Sequence, residues 1–140
     1  MNDIFRNKLN ELISSEKLSL DTLQATSKID KKILKKFLDG ENTDFSPDDG
    51  TFLADLASFL TDGINIIDDD SRTQGILEML TQVYKLNDKA IALYIGIEEQ
   101  TLKDFINNPS NISAEIKYKI AVTTFMIYYL FKFPNYGKIN

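Results

Sequence analysis

Four lysines fall within six positions of the segment DKKILKKFL (30–38), with a fifth, Lys28, just ahead of them. At 3.6 residues per turn, Lys31, Lys32, Lys35 and Lys36 share one side of a helix, opposite Leu34 and Phe37. Ammonium groups gathered in this way suit phosphates, because each contact releases condensed counterions and makes binding strong and salt-sensitive. They lack the Arg, Asn and Gln groups that best discriminate base edges. The segment EEQTLKDFIN (98–107) has the opposite balance. There Gln100, Thr101, Lys103 and Asn107 carry groups suited to base edges, whereas Glu98, Glu99 and Asp104 repel a phosphate backbone. Other chemistries are poorly provided for. The chain has no histidine and no cysteine, which removes the commonest general base, the commonest metal ligand and every thiolate route. Asp68-Asp69-Asp70 lacks the spacing of a calcium loop and reads as a solvated stretch that caps the next helix. There is no glycine-rich phosphate loop, no G-x-S-x-G elbow, and no sign of two carboxylates sharing a pocket. No catalytic residue, metal site or cofactor is therefore expected.

The elements that must position these residues are helices, and they come in two sets. Shifting the chain by 68 residues lays 9–40 over 77–108 without a gap. Leu9 then meets Leu77, Leu12 meets Leu80, Leu18 meets Leu86, Leu23 meets Ile91, Ile29 meets Ile97, Leu34 meets Leu102 and Phe37 meets Phe105. A shift of 67 carries the match onward, placing Phe45 over Ile112 and Ser46 over Ser113. The shared positions are the apolar ones, so the repeat is one of buried pattern. In the first set, helices are expected over 2–15, 20–26 and 31–38, with Ser19 and Asp30 as caps and Gly40 as a stop. Ser46-Pro47-Asp48-Asp49 combines a cap, a first-turn proline and carboxylates at the positive end of the helix dipole, so a fourth helix is expected to run to about Leu60 and close at Asp62-Gly63. Ile64–Ile67 reads as a linker turn. In the second set, helices are expected near 72–85, 88–94, 99–107 and 114–132, capped around Ser71, Asn87 and Ser113. The expected fold class is all-α, with a first unit over 1–66 and a second over 67–140.

The stretch AIALYIGIEEQTLKDFI (90–106) resembles the helix-turn-helix of the lambda-repressor-like (XRE/Cro) family. Ala92 is small enough for the following helix to approach, and four residues later Gly96 supplies the left-handed backbone of the turn. Ile97, Leu102 and Phe105 face inward. LQATSKIDKKILKKFL (23–38) keeps the apolar positions but has Lys28 where the turn glycine would stand. The loops DGENTDFSPDD (39–49) and NPSNISAEIKYKIA (108–121) resemble the stretch that follows the recognition helix in the same family. The resemblance thus covers nearly the whole chain, as two tandem helix-turn-helix units packed together. It implies a DNA-binding transcriptional regulator with recognition helices at 30–38 and 98–107. Its contacts with double-stranded DNA would be made by Lys28, Lys31, Lys32, Lys35, Lys36, Gln100, Thr101, Lys103 and Asn107.

The net charge of −5 hides a sorted distribution. Residues 1–38 carry 8 basic and 5 acidic side chains, residues 39–70 carry 10 acidic and none basic, and residues 71–140 carry 8 basic and 6 acidic. The acidic middle supports a second expectation, a helix-turn-helix fold used as an antirepressor or inhibitor that binds a basic protein partner. The longest apolar stretch, Ile120–Phe133, falls short of the roughly 20 residues needed to span a bilayer, so no membrane contact is expected. Its helix is apolar nearly all round, which suits either a seam between the two units or a homodimer contact between chains. The acidic residues near the N-terminus are not those of a secretory signal, and the absence of cysteine fits a reducing compartment; a cytoplasmic protein is expected.

Overall fold

A computed structural model describes residues 2–133, and those residues form helices with no strand among them. The chain divides into two compact units, Met1–Ile66 and Ile67–Asn140. In the first unit, α1 (Asn2–Ser14), α2 (Leu20–Ser27), α3 (Lys31–Leu38) and α4 (Pro47–Ser58) surround a core of Phe5, Leu9, Leu12, Leu23, Leu34, Phe37, Leu53 and Ala57. α2, α3 and α4 each start where the sequence supplies a cap. Ser19 Oγ accepts from Thr22 N at 3.1 Å, Asp30 Oδ1 from Lys32 N at 2.8 Å, and Ser46 Oγ from Asp49 N at 3.1 Å. These bonds satisfy amides that a helix start otherwise leaves unpaired.

The end of the first unit differs from the sequence-based expectation. The chain does not close at Asp62-Gly63, and 64–67 is not a linker turn: α4 passes into a π turn over Phe59–Gly63 and continues as α5 (Ile64–Ile66). Helical dihedrals persist at Phe59 and at Ile64. Gly63 acts as a close-approach residue here. A Cβ at that position would lie 3.0 Å from the Phe59 ring, so the absence of a side chain lets the ring fold over the turn. A glycine that reads as a stop in sequence is tolerated inside a helix when a neighbour occupies its space.

In the second unit, α6 (Asp69–Glu78), a π turn over Met79–Val83, α7 (Asp88–Ile95), α8 (Glu99–Asn107) and α9 (Ala114–Lys132) enclose Leu77, Leu80, Ile91, Ala92, Ile95, Leu102, Phe105 and Ile120. α6 begins three residues earlier than expected. Its cap is Asp68, whose Oδ1 accepts from Ser71 N at 2.8 Å, and Ser71 lies inside the first turn. Asp69 and Asp70 follow in that turn, where the helix dipole favours carboxylates. Asn87 and Ser113 cap α7 and α9 through Ala90 N and Ile116 N, at 2.8 and 3.3 Å.

Candidate nucleic-acid interface

α2 and α3 meet through a three-residue turn whose first residue, Lys28, is left-handed at φ 63°. Lys28 N donates to Gln24 O at 2.9 Å and closes the helix, and the Gln24 side chain reaches over the turn to accept from Lys31 N at 2.9 Å. In the second unit the turn between α7 and α8 has the same form. Gly96 is left-handed at φ 82°, and the amides of Gly96 and Ile97 both donate to Ala92 O, at 2.9 and 3.1 Å. Left-handed backbone costs a non-glycine residue roughly 1–2 kcal/mol, so Lys28 is held there by the packing around it.

The helix after each turn is anchored by two fully buried residues one turn apart, Leu34 and Phe37 in α3, Leu102 and Phe105 in α8. Phe37 stacks on Phe5 at 5.1 Å between ring centroids and meets Phe45 edge-on at 5.0 Å. A polar side chain from the first helix of each unit then ties down the end of the anchored helix. Arg6 Nε donates to Phe37 O at 2.7 Å while its guanidinium lies 4.6 Å over the Phe37 ring. Gln74 Nε2 donates to Ile106 O at 3.1 Å and, more weakly, to Phe105 O at 3.4 Å. Neither tether follows from the apolar pattern or the capping residues. Their signal was available in the register, because Arg6 and Gln74 are 68 residues apart.

Held in this way, α3 turns Lys31, Lys32, Lys35 and Lys36 to solvent, with Lys28 exposed at the turn. Lys31 is ion-paired with Asp21 of α2, whereas Lys28, Lys32, Lys35 and Lys36 have no ion pair among the described residues. Lys28 shares a groove of about 450 Å³ with Asp30, Asp44 and Asp49, so its surroundings are more acidic than those of the other four. The residues of α8 are arranged differently. Gln100, Lys103 and Asn107 are exposed and Thr101 is half-buried. Lys103 pairs with Glu99 at 3.2 Å, and Gln100 Nε2 donates to Asp104 Oδ1 at 2.9 Å. Two of the four groups are thus engaged within their own helix. In α7, Leu93 and Tyr94 stand 73% and 67% exposed, where α2 has the smaller Ala25 and Thr26 at the matching positions.

Much of the acidic stretch 39–70 is used internally. Asp48 and Asp49 occupy the first turn of α4, and Asp68 caps α6. Asp62 pairs with Lys8 at 2.5 Å, Asp69 with Arg72 at 3.7 Å and Asp70 with Lys117 at 2.8 Å. The Lys8 ammonium, by hydrogen bond first and charge second, holds the Asp62 carboxyl below its ordinary value, and the amide of Ser71 does the same for Asp68. No group of carboxylates among the described residues is disposed to hold a metal ion, and no described helix is long and apolar enough to cross a membrane.

No curated protein and no solved structure matches the chain significantly. A family of helix-turn-helix domains matches residues 1–137, nearly the full length, in agreement with the turn geometry at Lys28 and Gly96. The chain belongs to that helix-turn-helix domain family.

Proposed function

We propose that the protein is a DNA-binding transcriptional regulator of lambda-repressor-like type, built from two tandem copies of the unit, which contacts duplex DNA chiefly through α3. The observation that carries this reading is the lysine face. Lys31 and Lys35, and Lys32 and Lys36, are like charges four residues apart, and each such pair costs a helix about 0.2–0.5 kcal/mol. Gathering them on one exposed side opposes folding and is offset when the face meets a polyanion. Lys32, Lys35 and Lys36 carry most of the phosphate contact. Lys31 must leave Asp21 to join them, and Lys28 acts from the edge of the acidic groove. Gln100, Thr101, Lys103 and Asn107 of α8 are a secondary surface, since Lys103 and Gln100 are engaged by Glu99 and Asp104.

Fluorescence anisotropy with a mixed-sequence duplex at low salt tests the reading. With three to four phosphates neutralised, log affinity should fall with log salt at a slope of roughly −3 to −4. Changing Lys31, Lys32, Lys35 and Lys36 together to Glu should abolish binding while the helical circular dichroism is retained, because all four are exposed. Failure of the unaltered chain to bind any duplex at low salt would remove the proposal. The other reading, a protein-binding antirepressor acting through 39–70, has less support, because Asp48, Asp49, Asp62, Asp68, Asp69 and Asp70 already serve the fold. A basic protein partner lost on neutralising Asp48, Asp49 and Asp55 would favour it.

A further inference from the structure

Lys31 is held at both ends by α2. Its amide donates to Gln24 Oε1 at 2.9 Å, and its ammonium donates to the carboxylate of Asp21, one turn earlier on the same helix. Asp21 lies in the first turn of α2, behind the Ser19 cap, where the helix dipole stabilises a negative side chain. Lys32, Lys35 and Lys36 have no such partner among the described residues. The pair is open to solvent. With Lys17, Ser19 and Thr22 it walls a groove of about 570 Å³, and the side chains of Lys31 and Asp21 are 47% and 81% exposed.

The repeat places charge at the same two positions in the second unit. A shift of 68 residues puts Lys89 over Asp21 and Glu99 over Lys31, with the signs exchanged. There the carboxylate belongs to α8 itself, and Glu99 engages Lys103, the match of Lys35. Each unit thus sets one carboxylate against one lysine of the helix that follows its turn. In the first unit it comes from α2, and in the second from within α8.

We infer that Asp21 is a built-in competitor of the phosphate backbone, a positioning residue that holds Lys31 back from the duplex and leaves full contact to Lys32, Lys35 and Lys36. The inference rests on the proposed contact of α3 with DNA and adds a determinant of its strength and salt dependence. An exposed ion pair of this kind is weak enough for a phosphate to compete with it, so Asp21 lowers the share of Lys31 in the contact without closing α3. Its removal gives Lys31 to the backbone, and each further phosphate neutralised steepens the fall of log affinity with log salt by about 0.9.

Fluorescence anisotropy of the whole chain with the mixed-sequence duplex compares Asp21→Asn with Glu11→Gln, the same change of net charge at an exposed residue of α1. Asp21→Asn is expected to bind about two- to fivefold more tightly at low salt, with a slope steeper by about 0.9, whereas Glu11→Gln leaves the slope unchanged. Asp21→Glu keeps a carboxylate within reach of Lys31 and is expected to match the unaltered chain. In a Lys31→Ala background Asp21→Asn is expected to bring no gain, because the carboxylate acts through that ammonium. Should Asp21→Asn lose helicity, Asp21→Ser, which also suits a helix start, takes its place. An unaltered chain that binds as tightly as Asp21→Asn overturns the inference and leaves the nucleic-acid reading standing. A gain that persists in the Lys31→Ala background does the same, since it would be an effect of net charge alone. Absence of duplex binding in every variant at low salt overturns both.

Discussion

At the residue scale the two inter-helix turns form a matched pair with different occupants. Lys28 and Gly96 both take left-handed backbone, and nothing lies within 4 Å of where a Gly96 Cβ would stand. The energetic difference between Lys and Gly at this position is therefore one of backbone and not of crowding. Lys28→Gly should raise stability by about 0.5–1 kcal/mol in urea denaturation, while duplex affinity falls slightly for the lost charge. Gly96→Ala should lower stability by about 1 kcal/mol or somewhat more. Opposite signs from two substitutions at the same turn position would be hard to obtain in any other way. Asp62 gives a pH-dependent counterpart. Its carboxyl is held below the ordinary value by Lys8, so the folded state favours the ionised form. That stability is present above the unfolded pKa and is lost as pH falls through the folded one. Asp62→Asn should therefore lower the melting temperature at neutral pH, with the gap to the unaltered chain closing as pH drops below the ordinary carboxylate range.

At the element scale the positions of the helices were largely legible in the sequence. Ser19, Asp30, Asn87 and Ser113 cap the helices they were expected to cap, and the apolar spacing identified Leu34, Phe37, Leu102 and Phe105 as the anchors of α3 and α8. Two helix boundaries escaped because neighbouring residues offer competing local signals. Gly63 reads as a terminator although the Phe59 ring, one turn back, fills the space beside it, and Ser71 reads as a cap although Asp68, three residues earlier, offers the same chemistry. The lysine face was legible from spacing alone, but Asp21 on Lys31 and Glu99 on Lys103 require coordinates. The Arg6 tether belongs to this scale too. Its side chain is only 16% exposed and donates to the last-turn carbonyl of Phe37, so it sets where α3 ends relative to α1. Arg6→Met keeps much of the apolar stem but leaves that carbonyl without its charged donor, and should cost about 1.5–3 kcal/mol in urea denaturation. Arg6→Lys should recover little of it, since an ammonium cannot both donate in the plane of the carbonyl and lie flat over the Phe37 ring.

At the scale of the whole molecule, each unit has its own buried cluster, Phe5 to Ala57 in one and Leu77 to Ile120 in the other. Each cluster draws on all four principal helices of its unit, so each holds the elements a small helical domain needs. Units of this size bury only about 60% of their unfolded surface and are correspondingly marginal, so separate folding is a demanding expectation. The fragments 1–66 and 67–140, expressed separately, should each be helical and unfold cooperatively in urea. The functional readings then part between them. Fragment 1–66 carries Lys32, Lys35 and Lys36 and should keep most of the duplex affinity with the same salt slope. Fragment 67–140, with Glu99 and Asp104 engaging Lys103 and Gln100, should bind at least tenfold more weakly. A helical 1–66 that has lost duplex binding would show that α3 does not suffice and that the second unit contributes contacts of its own. A fragment that fails to fold would show instead that the repeated pattern does not mark out two self-sufficient domains.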